Sequence, residues 1–157
     1  MKRAVLALAL LLAACGHKPK RPFELATPAG FVELPRQSDF DYRASTVDGV
    51  VLGVSALRHD PKADVGFWAD ATLRRLRLRN GYALLEQRAV QVGGREARQL
   101  RFGHDEAGTP HIYWITLVTT DDHLFLLEAG GASAVFQSRA PVVEGWLAAF
   151  QITERRR

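Results

Sequence analysis

The chain has 157 residues, of which 47% are hydrophobic, enough for one globular domain with a sizeable core. Its 21 basic residues exceed its 17 acidic ones, but six of the basic residues lie near the ends, in residues 18–21 and 155–157, and residues 22–154 carry 13 basic against 17 acidic side chains. Nucleic-acid binding is therefore not expected, because it needs basic charge concentrated on the folded domain.

The chain begins with the pattern of a secretory signal. Lys2 and Arg3 precede an apolar run, residues 4–12, that is too short for a transmembrane helix and leads to small residues before Cys15. The segment Leu12-Ala13-Ala14-Cys15 resembles the lipobox of bacterial lipoproteins. The resemblance implies a signal peptide over residues 1–14, cleavage after Ala14, diacylglycerol attached to the Cys15 thiol and acylation of the new amino terminus. The expected location is the bacterial cell envelope.

Residues 15–22 are polar and broken by prolines, which predicts a short lipidated tether. Its cations either lie near anionic headgroups or are merely solvated. Gly16 after the cysteine resembles lipoproteins sorted to the outer membrane, so this membrane is favoured over the inner one. Cys15 is the only cysteine, which excludes an intrachain disulfide, a cysteine zinc cluster and a redox pair.

Residues 23–154 predict one domain, followed by a basic tail at 155–157. Its first elements are strands at 31–34, 40–47 and 50–57, separated by turn signals. Asp48-Gly49 lies between the second and third of them. Because an Asp-Gly pair adopts positive φ angles readily, it predicts a tight hairpin there.

An amphipathic helix is predicted next. Its apolar stripe has helical spacing and comprises Val65, Trp68, Ala69, Thr72, Leu73 and Leu76. Asp64 can accept hydrogen bonds from the open N–H groups of the first turn, and Asn80-Gly81 supplies the stop.

Two hairpins and a final helix complete the domain. The first hairpin joins residues 82–92 to 95–102 through Gly93-Gly94, and after a connection at 105–110 the second joins 111–119 to 123–129. The last two strands are apolar on both sides, which is typical of central strands covered on both faces. Helical spacing from Val135 to Phe150 predicts a covering helix that Pro141 either kinks or begins. The pattern indicates an α+β sandwich, a mainly antiparallel sheet flanked by helices.

This order of elements resembles the PsbP-like family, which includes DcrB-like bacterial lipoproteins. The resemblance covers about residues 23–151 and is carried by turn and core segments: Pro28-Ala29-Gly30-Phe31, Val92-Gly93-Gly94-Arg95-Glu96-Ala97, Tyr113-Trp114, the strand at 123–127 and the closing Trp146–Phe150 helix. It implies a non-enzymatic module that binds another protein or assists the assembly of a membrane complex. It transfers no binding residues.

Two enzymatic patterns are incomplete. Gly130-Gly131-Ala132-Ser133-Ala134 lacks the second glycine of a nucleophile elbow and the lysine of a phosphate loop. We therefore expect loop glycines that lead to a helix capped by Ser133.

A metal site is the other hypothesis, because His59, His104, His111 and His123 lie beside acidic turn residues. They lack helical metal-ligand spacing, so solvated turn residues are favoured and no cofactor or metal is expected.

The first predicted helix offers a candidate partner surface. Phe67, Arg74 and Leu78 fall opposite its core stripe, with Arg75 and Arg77 on the flanks. Arginine and apolar residues together are typical of protein interfaces. The alternative, which position near the helix ends favours, is that Phe67 and Leu78 pack beneath neighbouring loops.

The sequence therefore predicts a lipid-anchored, non-enzymatic binding or assembly module for a membrane-associated protein partner. One alternative is an envelope carrier of small ligands, for which Trp68, Trp114 and Trp146 would make a natural cavity lining, although plain core packing of these tryptophans is favoured. A second alternative is an envelope hydrolase or metal-dependent enzyme, which needs a convergent polar cluster that the sequence does not show.

Overall fold

The computed structural model describes residues 21–154. The predicted signal peptide at 1–14, the proposed lipidation site Cys15 and the basic tail at 155–157 lie outside the described residues. The elements within 21–154 are β1 (Phe23–Glu24), β2 (Val32–Glu33), β3 (Tyr42–Ser45), β4 (Val51–Arg58), α1 (Val65–Asn80), β5 (Ala83–Val92), β6 (Arg95–Glu106), β7 (Thr109–Thr119), β8 (His123–Ala132), α2 (Ser133–Ala148) and β9 (Gln151–Ile152). Neither α1 nor α2 has the length and hydropathy needed to cross a membrane.

Seven strands form one antiparallel sheet in the order β2-β3-β4-β8-β7-β6-β5. The two strands with apolar residues on both sides, β7 and β8, lie near its centre. The glycines of the predicted hairpin turns have positive φ angles, +88° at Gly49, +57° at Gly93 and +73° at Gly94. The predicted mainly antiparallel α+β fold is confirmed.

The two helices cover opposite faces of this sheet. Neighbouring residues of β7 show the division, because Ile115 packs in the cluster beneath α1 whereas Trp114 packs in the cluster beneath α2. Ala69 and Leu76 of α1 are buried in the first cluster. Phe136, Val143, Trp146 and Leu147 of α2 are buried in the second. Burial on both sides explains why the central strands show no polar face.

The ends of α1 are set by the predicted residues. The Asp64 carboxylate accepts a hydrogen bond from the backbone N–H of Phe67 at 2.8 Å. At the other end, Gly81 adopts a φ of +69°, and its backbone N–H donates to the Leu76 carbonyl. A left-handed residue after a helix favours glycine, because a Cβ raises the energy of this conformation.

The predicted connection at 105–110 is wrong. β6 continues to Glu106 and β7 begins at Thr109, so only Ala107 and Gly108 remain in the turn. Both have positive φ, +51° and +84°, and such turns match the twist of a hairpin. The sequence does not indicate this turn, because alanine rarely adopts a positive φ angle.

The predicted glycine loop and Ser133 cap are also wrong. Gly130 and Gly131 lie within β8, where they pair with Tyr113 and Ile112. Ala132 precedes α2 without a side-chain cap, and Ser133 is already helical. A Cβ on Gly131 would lie 3.2 Å from the Val50 Cα, so close backbone approach, not a loop, accounts for this glycine. Pro141 lies inside α2 and does not begin it.

A second, two-stranded sheet was not predicted. β1 and β9 pair antiparallel, with Phe23 opposite Ile152. Phe23 is buried against Phe150 and Phe125, with ring centroids 5.3 and 6.3 Å away. This sheet joins the first described residues to the last.

Candidate functional site

The outer face of α1 is open. Phe67 is 55% exposed and Leu78 is 84% exposed, so the expectation that they pack beneath loops is wrong. With Arg74 they form a stripe with spacings of seven and four residues, which places them on one side of the helix. The stripe faces away from buried Ala69 and Leu76, which hold the opposite side of α1 against the sheet.

Three further arginines, Arg75, Arg77 and Arg79, lie beside this stripe and its Arg74. Arg74, Arg75, Arg77 and Arg79 are all exposed, and none takes part in the ion pairs found within residues 21–154. Within the helix only Asp70 is acidic. We call the set the arginine surface: Phe67, Arg74, Arg75, Arg77, Leu78 and Arg79. Its positive charge contrasts with the acidic excess of residues 22–154.

Shallow grooves follow both flanks of the arginine surface. One is lined by Asp70, Leu73, Arg74, Arg77 and Leu78, and the other lies around Ala71, Arg75 and Arg79. Arg74 and Leu78 border both grooves. A ridge between two open grooves can enter a concave partner surface, whereas it cannot enclose a small molecule.

A second candidate site is a cavity of about 330 Å³ on the same face of the sheet, beside α1. We call it the sheet cavity. Its floor is formed by Gly53 of β4 and by Glu128 and Gly130 of β8, and its walls carry the polar and aromatic groups Phe40, Arg43, Glu106, His111 and Tyr113. The Phe40 ring lies over Gly53, with its Cε1 only 2.7 Å from where a Cβ would be.

Glu128 is the acidic group in the floor. Burial raises the pKa of its carboxyl above the ordinary value, while contact with Tyr113 and the charges of Arg75 and Arg43 act in the opposite direction. Burial also raises the pKa of Tyr113, and the charge of Glu128 adds to the effect. A carboxyl group whose pKa is shifted and which lies in a cavity is typical of binding and catalytic sites.

One wall of the sheet cavity contains a stacked pair, Arg43 and Phe40. The Arg43 guanidinium lies 5.2 Å from the centre of the Phe40 ring, and its Nη1 donates to Gln37. The Arg43 Nε is buried without a hydrogen-bond partner among residues 21–154. This wall therefore combines an aromatic face with an unused donor.

Sequence reasoning missed the sheet cavity, although one signal was present. Leu124, Leu126 and Glu128 share one face of β8, so Glu128 interrupts a face that is otherwise apolar. A single acid on the inward side of a central strand is unusual, because an unpaired carboxylate is costly to bury. The other walls come from distant parts of the chain.

The histidines do not form one site. His59 is buried and held by Thr120, Ala63 and Trp68, and His104 stacks on Tyr82 at 4.7 Å. His111 lies 3.6 Å from Glu106, whereas His123 pairs with Glu154 near the opposite end of the sheet. Across residues 21–154, no three histidine, cysteine or acidic side chains gather in a way that could hold a metal ion.

The tryptophans do not line one cavity; they pack in or against the core clusters, as the favoured interpretation predicts. Trp68 packs in the layer of α1, whereas Trp114 and Trp146 pack in the layer of α2. The seven-stranded sheet separates them. The Ser133 hydroxyl, the other enzymatic candidate, lies on α2, accepts a hydrogen bond from Gln137 at 3.4 Å and does not line the sheet cavity.

No family model and no curated protein matches the sequence. Solved structures do match. LpqN of Mycobacterium tuberculosis, described as involved in cell envelope biogenesis, is 15% identical with a TM-score of 0.67, and the match covers 88% of each chain.

Two further structures have the same fold. The cyanobacterial PsbP protein of Synechocystis sp. PCC 6803 is 11% identical with a TM-score of 0.58, over 83% of this chain and 86% of that protein. PA94 of Pseudomonas aeruginosa, a protein of unknown function, is 10% identical with a TM-score of 0.56, over 90% of this chain and 88% of that one. At these identities the likeness shows the fold alone, and the fold of this chain is PsbP-like.

Proposed function

We propose that this protein is a lipid-anchored, non-enzymatic module of the bacterial cell envelope that binds a membrane-associated protein partner through the arginine surface. The observation that carries the proposal is the exposure of Phe67 and Leu78 among four arginines that make no ion pair within residues 21–154. LpqN, which shares the fold, is described as involved in cell envelope biogenesis. This description supports an envelope role.

The chemistry of the arginine surface defines the partner. Phe67 and Leu78 are eleven residues apart, or about 16 Å along a helix, so the partner presents two apolar contacts at this separation. Acidic residues between and beside those contacts pair with the arginines. Charge complementarity of this kind steers association and selects among partners, while buried apolar anchors supply most of the affinity.

The proposed anchor at Cys15 explains how the small arginine surface can be sufficient for binding a partner. A helix face of this size gives a modest interface, and a weak contact is sparsely occupied in dilute solution. Diacylglycerol with an additional acyl chain keeps the protein on its membrane. Confinement to the membrane raises the effective concentration of both partners, so a weak contact becomes occupied.

Crosslinking in intact envelopes tests the proposal. The full chain is compared with a Phe67→Ala/Leu78→Ala double variant and with a matched Val32→Ala/Val47→Ala control, which also removes two exposed apolar side chains but lies outside α1. We expect the crosslinked partner to disappear from the first variant and remain in the control. The same partner in both, at equal yield, would refute the proposal.

The sheet cavity supports a second candidate function, carriage of a small ligand. The specific observation is the raised pKa of Glu128 in the floor of the cavity. Mass spectrometry of small molecules extracted from the protein purified from envelopes tests it. The carrier function predicts a ligand in the native chain and in Glu144→Gln, whose carboxyl lies on α2, and its loss in Glu128→Gln. Ligand retained equally in all three excludes this role.

A further inference from the structure

Arg43 and Glu128 lie in one row across three strands of the sheet. Arg43 of β3 is paired with Gly53 of β4, and Gly53 is paired in turn with Glu128 of β8. Directly paired residues of neighbouring strands project from the same face of a sheet, and both side chains line the sheet cavity. Their Cα atoms are two strand spacings apart, or about 10 Å.

Neither of these two side chains neutralises the other. No ion pair found within residues 21–154 joins Arg43 to Glu128. The Arg43 Nη1 donates to Gln37, and the buried Nε has no acceptor in this part of the chain. The partly buried carboxyl of Glu128 contacts Tyr113 instead. The sheet cavity therefore has an unused donor on one side and an acid without a cationic partner on the other.

The charges around the cavity do not suit a simple ion. Two acids line it, Glu106 and Glu128, together with Arg43 and with His111, which lies 3.6 Å from Glu106. An anion placed against Arg43 would lie near both acids, and a cation placed against Glu128 would lie near Arg43. A molecule that carries both charges avoids both repulsions and gains both attractions.

Volume and apolar lining restrict the ligand further. The cavity, at about 330 Å³, is near the lower end of the range for ligand cavities, roughly 300–1,000 Å³. Both charges of the ligand therefore belong to a small molecule. The Phe40 ring lies over Gly53, in the middle of the row, and Val51 adds a second apolar contact. The ligand thus carries an apolar group beside its charges.

We infer that the sheet cavity binds an apolar α-amino acid, with its ammonium group on the carboxylate of Glu128 and its carboxylate on Nε of Arg43. The inference rests on the second candidate function, carriage of a small ligand, and names the class of that ligand. The ammonium group supplies the cation that the Glu128 carboxylate lacks, and the carboxylate supplies the acceptor that the Arg43 Nε lacks. One molecule satisfies both groups.

Isothermal titration calorimetry on the purified full chain tests the inference. The probes are L-leucine and L-phenylalanine, the matching amines without the carboxylate, 3-methylbutylamine and phenethylamine, and the matching acids without the amine, 4-methylpentanoate and 3-phenylpropanoate. We expect at least one amino acid to bind. Its amine and its acid should each bind about tenfold or more weakly, because each lacks one charged hydrogen bond.

Two variants separate the two contacts. Glu128→Gln should weaken binding of the amino acid about tenfold or more without weakening binding of the matching acid. Arg43→Gln should weaken binding of the amino acid by a similar factor without weakening binding of the matching amine. The matched controls are Glu144→Gln on α2 and Arg58→Gln at the exposed end of β4, neither of which lines the cavity. Both controls should bind like the unchanged chain.

The inference would be overturned if neither amino acid bound to the unchanged chain, or if Glu128→Gln or Arg43→Gln bound it undiminished. The carrier function is judged separately, by the molecules extracted from the native chain. An extracted ligand that is lost in Glu128→Gln but is not an amino acid would overturn this inference and leave the carrier function standing.

Discussion

The indole N–H of Trp68 donates a hydrogen bond to Nε2 of His59, with 3.2 Å between the nitrogens. The other ring nitrogen of His59 lies 2.6 Å from the Thr120 carbonyl oxygen and so carries the proton. The backbone N–H of Ala63 also donates to Nε2. His59 thus joins the start of α1 to the β7–β8 turn, which explains its burial without any metal.

Replacing His59 should therefore cost stability. His59→Phe leaves three polar groups without their partner, at about 1–3 kcal/mol for each buried group. We expect the free energy of unfolding, measured with urea, to fall by about 3 kcal/mol. His104→Phe is the control, because His104 stacks on Tyr82 but makes no side-chain hydrogen bond within residues 21–154. An equal loss in both variants would contradict the role given to His59.

The exposed residues of α1 should be dispensable for folding. Phe67→Ala and Leu78→Ala should each change the free energy of unfolding by about 0.5 kcal/mol or less. Leu76→Ala, at a position only 8% exposed, should cost about 2–5 kcal/mol. Thermal and urea unfolding of the three variants checks this expectation. A large loss in Phe67→Ala would mean that the crosslinking variant fails through misfolding.

Gly53 should be required for full stability because the Phe40 ring covers it. A Cβ at residue 53 would lie 2.7 Å from the Phe40 Cε1, so Gly53→Ala forces the ring to move and should cost about 1 kcal/mol or more. In a Phe40→Ala background the same substitution should cost clearly less. A double-mutant cycle by urea unfolding measures this coupling. No coupling would show that the ring moves away freely.

Acid should weaken the contact of α2 with the edge of the sheet. Burial opposes ionisation of Glu144, but hydrogen bonds from Arg88 at 2.9 Å and Arg101 at 2.5 Å outweigh it and lower the pKa of this carboxyl. A lowered pKa means that the ionised carboxyl stabilises the fold above its ordinary pKa, and that this stabilisation is lost as the pH falls through the lowered value.

Glu144→Gln measures this contribution. The variant should be less stable than the unchanged chain at neutral pH, and the difference should shrink at about pH 3. Urea unfolding at both pH values provides the comparison. A difference that does not change with pH would show that the carboxyl charge is unimportant.

Glu128 should lower the stability of the fold at neutral pH, whereas the ionised Glu144 raises it. Because burial raises its pKa, the folded chain holds this proton more tightly than the unfolded chain, and stability falls as the pH rises through the window between the two pKa values. Glu128→Gln removes this penalty. We expect the variant to unfold at a higher urea concentration than the unchanged chain at neutral pH, with no difference in acid. A residue that lowers stability is typical of a functional site.

Local patterns predicted the large elements well. The apolar stripe of α1, together with Asp64 and Gly81, predicted this helix and its ends. Apolar residues on both sides of β7 and β8 indicated central strands. These features succeed because each depends on neighbours along the chain or on burial of a whole strand. A two-residue strand such as β1 has no periodicity, so its pairing with β9 becomes visible only in three dimensions.

Glycine shows why the candidate sites were harder to predict. A glycine pair near a strand end usually indicates a turn, as Gly93-Gly94 does. Gly130-Gly131 looks the same in the sequence but lies in β8, where Gly131 admits the β4 backbone and Gly130 lines the sheet cavity. Exposure of Phe67 and Leu78 was equally hidden, because it depends on which loops pass over α1.

The two-stranded sheet also decides how the domain responds to mechanical load. A pull on the chain before Arg21 acts first on β1, which is held to β9 by two residue pairs and by the buried ring of Phe23. The strand ends next to Thr153 would separate one bond at a time, as in unzipping. The seven-stranded sheet takes the force only after β1 has detached, because β2 is its first strand in the chain. The β1–β9 sheet thus protects the larger sheet from forces applied to the chain before Arg21.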